Sequence, residues 1–255
     1  MRTHLAVGLV AGIACGSLLP LEAQSLTDRV SAVQNGTVRM SYAAREGVCG
    51  NGRNINTSSR SREWEHDCEP GPVRVAIEKH DGVATEIRTY VGGRWRPGDN
   101  VTDLGTVSAP RAAEFFMGLA ERSTELRGDV IAAGVFADSA MNTSALLRIA
   151  RATSVRKSTR RQAVFWLSQE AGDAAVKGLT ELADDQTEDQ DIRKQAVFAL
   201  SQLDEDQGIP VLIRVATQDR DPVIRKQAIF WLGQSKDPRA LDLFEKILTG
   251  KAPLH

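Results

Sequence analysis

Two sets of side chains in this sequence are of types that react or bind. The first is Cys49, His66, Cys68 and His80, with Glu63, Glu65, Asp67 and Glu69 among them. Two thiolates and two imidazoles are a ligand set for zinc. Zinc fingers, however, pair cysteines only about two to four residues apart, and Cys49 and Cys68 stand much further apart. In an oxidising compartment the same two cysteines are expected to form a disulfide instead. It would close a loop of about 20 residues and stabilise by roughly 3 kcal/mol in the chain-entropy model. The enclosed stretch 50–62 is rich in Gly, Asn, Ser and Arg and has no apolar face to bury, so a staple suits it. The neighbouring acids read as a solvated loop. No His-Glu-x-x-His, Gly-x-Ser-x-Gly or phosphate-loop motif occurs. The expectation is therefore no catalytic residue, no metal ligand and no cofactor.

The second set repeats. Arg160-Arg161-Gln162-Ala163-Val164-Phe165-Trp166-Leu167-Ser168-Gln169 is nearly identical to Arg193-Lys194-Gln195-Ala196-Val197-Phe198-Ala199-Leu200-Ser201-Gln202. It is nearly identical again to Arg225-Lys226-Gln227-Ala228-Ile229-Phe230-Trp231-Leu232-Gly233-Gln234. The offsets are 33 and 32 residues, a period that means stacked supersecondary units. At about 100° per residue, Ile224, Ala228, Trp231 and Leu232 share one arc of the third copy, which is the packing side. Lys226, Gln227, Phe230, Gly233 and Gln234 share the other. The same arrangement sets Phe198 among Lys194, Gln195 and Gln202, and Phe165 among Arg161, Gln162 and Gln169. Stacked, these residues would make a ladder of Phe flanked by amides and cations. Phe supplies anchor energy, and the Gln amides both donate and accept, which suits an extended peptide or a partner helix. The competing expectation is that each Phe packs on the next repeat. Arg160, Arg193 and Arg225, at the edge of the buried arc, are expected to tie neighbouring repeats to turn acids such as Asp189 and Asp221. Trp166 and Trp231 read as core.

These segments need helices to hold them. Each is followed by a second amphipathic helix: 174–183, 209–216 and 238–248. The joining gaps are short, so the helices of a pair lie antiparallel and the pairs must stack to bury their apolar faces. Asp221-Pro222-Val223-Ile224-Arg225 with Ala228 and Leu232-Gly233, and then Asp237-Pro238-Arg239-Ala240-Leu241, resemble HEAT repeats. The likeness is to the short bacterial, phycobilisome-lyase-like kind, over about 156–249 and more weakly over 110–155. The resemblance implies an α-solenoid whose second helices line a concave surface and whose usual role is protein–protein contact. It carries one enzymatic implication, since some relatives attach bilin chromophores. Export and the lack of a plausible nucleophile weigh against that here. Arg156, where the later copies have Asp189 and Asp221, departs from the family pattern.

The fold class expected is mainly α, with a small disulfide-stapled β unit ahead of the solenoid. Between Thr37 and Trp95, Val38, Met40 and Tyr42, then Val73, Val75 and Ile77, then Val83, Thr85, Ile87, Thr89 and Val91 alternate as strands do. Asp81-Gly82 between two such runs marks a tight hairpin. Residues 1–23 read as a secretory signal cut after Ala23, because their apolar run is shorter than the about 20 residues a bilayer span needs. Lipidation of Cys15 is the lesser alternative. The expected division is 1–23 signal, 24–109 β unit and 110–255 repeats, in a periplasmic or extracellular protein. The 255 residues carry 32 Lys plus Arg against 33 Asp plus Glu, a balance that argues against a nucleic-acid binder. A basic stretch from Arg148 to Arg161 and an acidic one from Glu181 to Asp191 read as solvated ends, or as a bipolar surface that orients a partner. The function expected is a non-enzymatic exported adaptor for a protein or peptide. The alternatives are an envelope component, or a regulatory or inhibitory subunit of an exported enzyme.

Overall fold

The computed structural model describes residues 25–250 except 54, 57–68, 124–125, 139–142 and 171. The expected signal, Cys15, Cys68, His255 and the acids Glu63, Glu65 and Asp67 lie outside the described residues. The chain opens on a short helix α1 (Leu26–Ser31), capped by Ser25, whose hydroxyl accepts from the Asp28 amide at 3.1 Å. Four strands follow as one sheet: β1 (Gly36–Tyr42), β4 (Val73–His80), β5 (Val83–Val91) and β6 (Val101–Thr106), in the order β5-β4-β1-β6. The first three run antiparallel, and β6 lies parallel to β1. The short ribbon β2 (Cys49–Gly50) and β3 (Ile55–Asn56) stands apart from the sheet. The Asp81-Gly82 turn has φ of 48° and 78°, so both residues are left-handed and the turn is of the kind that matches strand twist.

The alternation expected from the sequence decides which face is covered. Val38, Met40, Tyr42, Val73, Val75, Ile77, Ile87 and Val91 are all buried, each worth about 1.5–3 kcal/mol for the larger side chains. They pack on α2 (Ala109–Arg122) and α3 (Val130–Val135). Tyr42 lies 5.9 Å from Phe116 ring to ring, and its hydroxyl donates to the Ala133 carbonyl at 2.6 Å. Burial there pushes its pKa well above the ordinary value. β6 was not marked by the sequence, because no apolar alternation runs along it: Val101 and Leu104 are only half-buried and the rest is exposed.

Beyond α3 the chain is helical: α4 (Thr143–Arg151), α5 (Lys157–Leu167), α6 (Asp173–Asp184), α7 (Gln190–Ser201), α8 (Glu205–Gln218), α9 (Pro222–Gln234) and α10 (Pro238–Leu248). Helices pair as α4 with α5, α6 with α7 and α8 with α9, while α5 packs on α7 and α7 on α9. The three like decapeptides thus occupy adjacent, equivalent places. Ala163, Ala196 and Ala228, and Leu167, Leu200 and Leu232, are all fully buried. Asp189, Asp221 and Asp237 start their helices by accepting from the amides of Asp191, Val223 and Arg239. Helix α8 begins at Glu205, earlier than the expected 209, and contains Pro210. That residue is exposed and sits in the second turn, where the helix gives up the bond its amide would have made to the Asp206 carbonyl. The sheet and the helical array are not separate bodies of core. Their buried residues form one hydrophobic cluster, and Ala44 bridges Ala137 while the Arg45 amide donates to the Phe136 carbonyl at 2.9 Å.

Candidate partner-binding surface

What fixes the repeats against one another also fixes what they present. Arg160 and Arg193 are buried, at 4% and 3% exposure. Arg160 donates to the Ala150 carbonyl at 2.7 Å and pairs with Glu188. Arg193 donates twice to the Ala183 carbonyl, at 2.9 and 2.8 Å, and pairs with Asp219. The expected partners Asp189 and Asp221 are therefore corrected to Glu188 and Asp219. The first two cap their helices with one carboxylate oxygen and give the other to Lys157 and Gln190. Arg225 differs: it donates to the Asp219 and Arg220 carbonyls at 2.7 and 3.2 Å and, among the described residues, pairs with no carboxylate.

Of the two charge blocks, Arg156 and Arg161 stay exposed as solvated side chains, while other members pair. These meet across neighbouring repeats: Arg151 with Glu181, Lys157 with Asp189 at 2.7 Å and Asp191 at 3.4 Å, and Arg160 with Glu188. Arg148 reaches back to Glu121 at 2.8 Å. Lys157 holds the Asp189 carboxyl below the usual carboxylate range, and Lys194 does the same first for Asp191.

The residues set out on the polar arc split into two groups. Phe165 and Phe230 are 38% and 54% exposed. Phe198 is half-buried and packs on Trp231 of the next repeat, with ring centroids 5.0 Å apart. The ladder is thus two open rings around one that is used for packing. Trp166 is buried, edge-on to Phe136 at 5.3 Å, as a core residue should be. Trp231 is only half-buried; it too borders Phe230, at 5.0 Å. Ala199 takes the corresponding place in the middle repeat, so no indole stands there.

The glutamines are also partly engaged. Ser168 and Ser201 donate back to the Phe165 and Phe198 carbonyls at 2.6 and 2.7 Å. Gln169 and Gln202 then donate to those serines at 3.2 and 3.1 Å. Each keeps its carbonyl oxygen and one N–H for another partner. Gln234 follows Gly233, has no such serine, and is exposed. Gln162, Gln195 and Gln227 are half-buried, and the Gln162 carbonyl oxygen is buried with no protein donor in reach. Arg161 and Lys226 are exposed, while Lys194 is drawn to Asp191 at 2.7 Å.

At the end of this surface, between the C-termini of α7 and α9 and the start of α8, lies a cavity of about 420 Å³. Gln202, Gln234 and Trp231 are among its walls, with Leu203, Ile209 and Lys236. The Trp231 indole N–H is itself buried, and among the described residues it has no acceptor within hydrogen-bond distance. Buried donors without a partner are uncommon in folded chains. The sequence placed Trp231 in the core; in the fold it is half-buried and lines this concavity. Cys49 lies in β2, and its expected partner Cys68 is outside the described residues. Among the described residues no group of three or more His, Cys, Asp and Glu could hold a metal ion, and no helix is long and apolar enough to cross a membrane.

Stacked, antiparallel helix pairs of one period define the class of an α-helical repeat array. The sequence model for HEAT repeats matches residues 143–229 and 186–253, which together run from α4 through α10. That portion of the chain is similar to HEAT repeats. No curated protein matches the chain.

Proposed function

We propose that the chain is a non-enzymatic, exported adaptor that binds a protein or peptide through the row of helices α5, α7 and α9. The observation that carries this reading is the pair of open rings, Phe165 and Phe230, on the same row of helices as a cavity walled by Gln202, Gln234 and Trp231. HEAT repeats commonly serve protein–protein contact. A rigid aromatic anchor next to amides that still have hydrogen bonds to offer suits a peptide backbone. Kinship with the short bacterial, phycobilisome-lyase-like repeats and a bridge from Cys49 to Cys68 belong to the same proposal. So do removal of residues 1–23 and release to the periplasm or the exterior. Mass spectrometry of the native N-terminus and of unreduced peptides checks the last three.

The surface is tested with peptides selected from a random library on the wild-type chain. Their affinity is then measured by fluorescence polarisation against Phe165→Ala/Phe230→Ala, with folding followed by circular dichroism. The expected loss is about tenfold or more, the scale of a single anchor. Equal affinity for both proteins, with folding unchanged, removes the reading.

A further inference from the structure

The outer face of the sheet, turned away from α2 and α3, carries a different chemistry. Along β1, β4 and β5 the residues between the buried apolar ones include Thr37, Arg39, Arg74, Ala76, Arg88 and Tyr90. In register, Arg39 stands opposite Ala76 and Ala76 opposite Arg88. The small Ala76 leaves a dip with a guanidinium on either side. Arg74 stands opposite Tyr90 in the next row but one.

The chain after β5 folds back over this face and is held there. Arg74 Nε donates to the carbonyls of Gly92 and Gly93, both at 3.2 Å, and Arg39 Nη1 donates to the Arg96 carbonyl at 2.9 Å. Tyr90 meets Trp95 edge-on at 6.1 Å, and the Arg39 guanidinium sits 5.3 Å from the Trp95 ring centre. The β2–β3 ribbon closes the side, with the Gly52 amide donating to the Val91 carbonyl at 2.8 Å. Gly92 has φ of 67°, and a Cβ there would lie 2.6 Å from the Gly50 carbonyl oxygen, so only glycine permits this approach. The result is a cavity of about 560 Å³, within the size range of small-ligand sites.

Arg39, Arg53, Arg74, Arg88, Arg94 and Arg96 all line it, and among the described residues no Asp or Glu does. Arg39 is paired with Asp103 at 2.9 Å, and Arg88 with Glu78 and Glu86. Arg74 is engaged by carbonyls alone, and Arg53, Arg94 and Arg96 have no carboxylate within ion-pair distance among the described residues. Four guanidinium groups around one concavity, with no counter-charge among the described residues, repel one another. Their planar forks match the paired oxygens of phosphate and carboxylate.

We propose that this cavity binds a small ligand bearing two or more oxyanion groups, phosphate or carboxylate, gripped by Arg53, Arg74, Arg94 and Arg96 and bordered by Tyr90 and Trp95. The site is separate from the helical surface, and neither depends on the other. Isothermal titration calorimetry of the full chain with pyrophosphate in one arm and citrate in another, at low salt, tests it and tells phosphate from carboxylate. The variant Arg53→Gln/Arg94→Gln/Arg96→Gln alters exposed side chains only. Its control, Arg111→Gln/Arg156→Gln/Arg220→Gln, removes the same charge from exposed places on α2 and on turns between the later helices. At least one probe is expected to bind the wild type below about 1 mM, about tenfold or more weaker to the cavity variant, and within about twofold to the control. Failure of both probes to titrate at about 10 mM, or an equal loss in the control, overturns the proposal.

Discussion

Arginine serves two ends in this molecule, and the contrast between its two settings is instructive. In the helical array Arg160 and Arg193 are buried, each closed by one carboxylate and one carbonyl. On the outer face of the sheet Arg53, Arg94 and Arg96 are exposed and have no acid in reach among the described residues. The residue type is the same. What separates a structural guanidinium from an available one is whether an acid and a carbonyl of neighbouring turns lie within its reach. Glu188 and Asp219 meet the arginines through one carboxylate oxygen while the other accepts the Asp189 or the Asp221 amide.

The contrast can be broken at its strongest point first. Arg193→Ala leaves Asp219 buried without a counter-charge, and loss of one partner of a buried pair costs about 3–5 kcal/mol. Chemical denaturation should show that loss for Arg193→Ala and for Arg160→Ala. Arg225→Ala, which gives up only carbonyl contacts at a partly exposed place, should lose about 1 kcal/mol. Three equal losses would mean that the carboxylates contribute little. Next, Phe198→Ala should destabilise by about 2 kcal/mol, roughly half the cost at a fully buried Phe. Phe230→Ala, 54% exposed, should stay within about 1 kcal/mol. A reversed order would show that the middle ring is not the one used for packing.

A smaller effect concerns pH. Burial raises the pKa of Asp129, the cap of α3, against the opposing amides of Ala132 and Ile131 and the nearby Trp166 indole. The folded state therefore holds this proton where the unfolded chain has lost it, so the group's contribution to stability falls as pH rises above the ordinary carboxylate value. Asp129→Asn keeps an acceptor for the Ala132 amide. It should match the wild type in acid and exceed it at neutral pH in thermal melts. Asp237 runs the other way, since its bond with Arg239 lowers its pKa. Its contribution is present above the ordinary value and fades below it. The smallest change is expected at the cavity rim, where Arg94→Gln should leave stability within about 0.5 kcal/mol. A large loss there would make that guanidinium structural, like those between the repeats.

Much of this was legible from residue spacing. The repeat showed itself because each copy buries the same alanine and leucine positions against its neighbours, and the sheet because one face alternates strictly. The acids that meet Arg160 and Arg193 were not legible. Glu188 and Asp189 are adjacent, and spacing does not say which carboxylate turns inward and which caps. Strand β6 was missed because an edge strand with little buried surface carries no apolar signature. Arg39, Arg74 and Arg88 do alternate with core residues in the sequence. Their meeting with Arg53, Arg94 and Arg96 depends on strand register and on the fold-back after Gly92, neither of which periodicity encodes.

The union of the sheet's apolar face with α2 and α3 makes the β unit an end plate for the array. In a stack where each repeat leans only on its neighbours, the sealed end opens last. Amide exchange should then be slowest near Tyr42 and Ala133 and quicken toward α10, where Leu241 and Leu248 face solvent. Cutting the chain at Ala109 would not liberate a free-standing set of helices. It would strip the lid from the best-protected portion of the molecule.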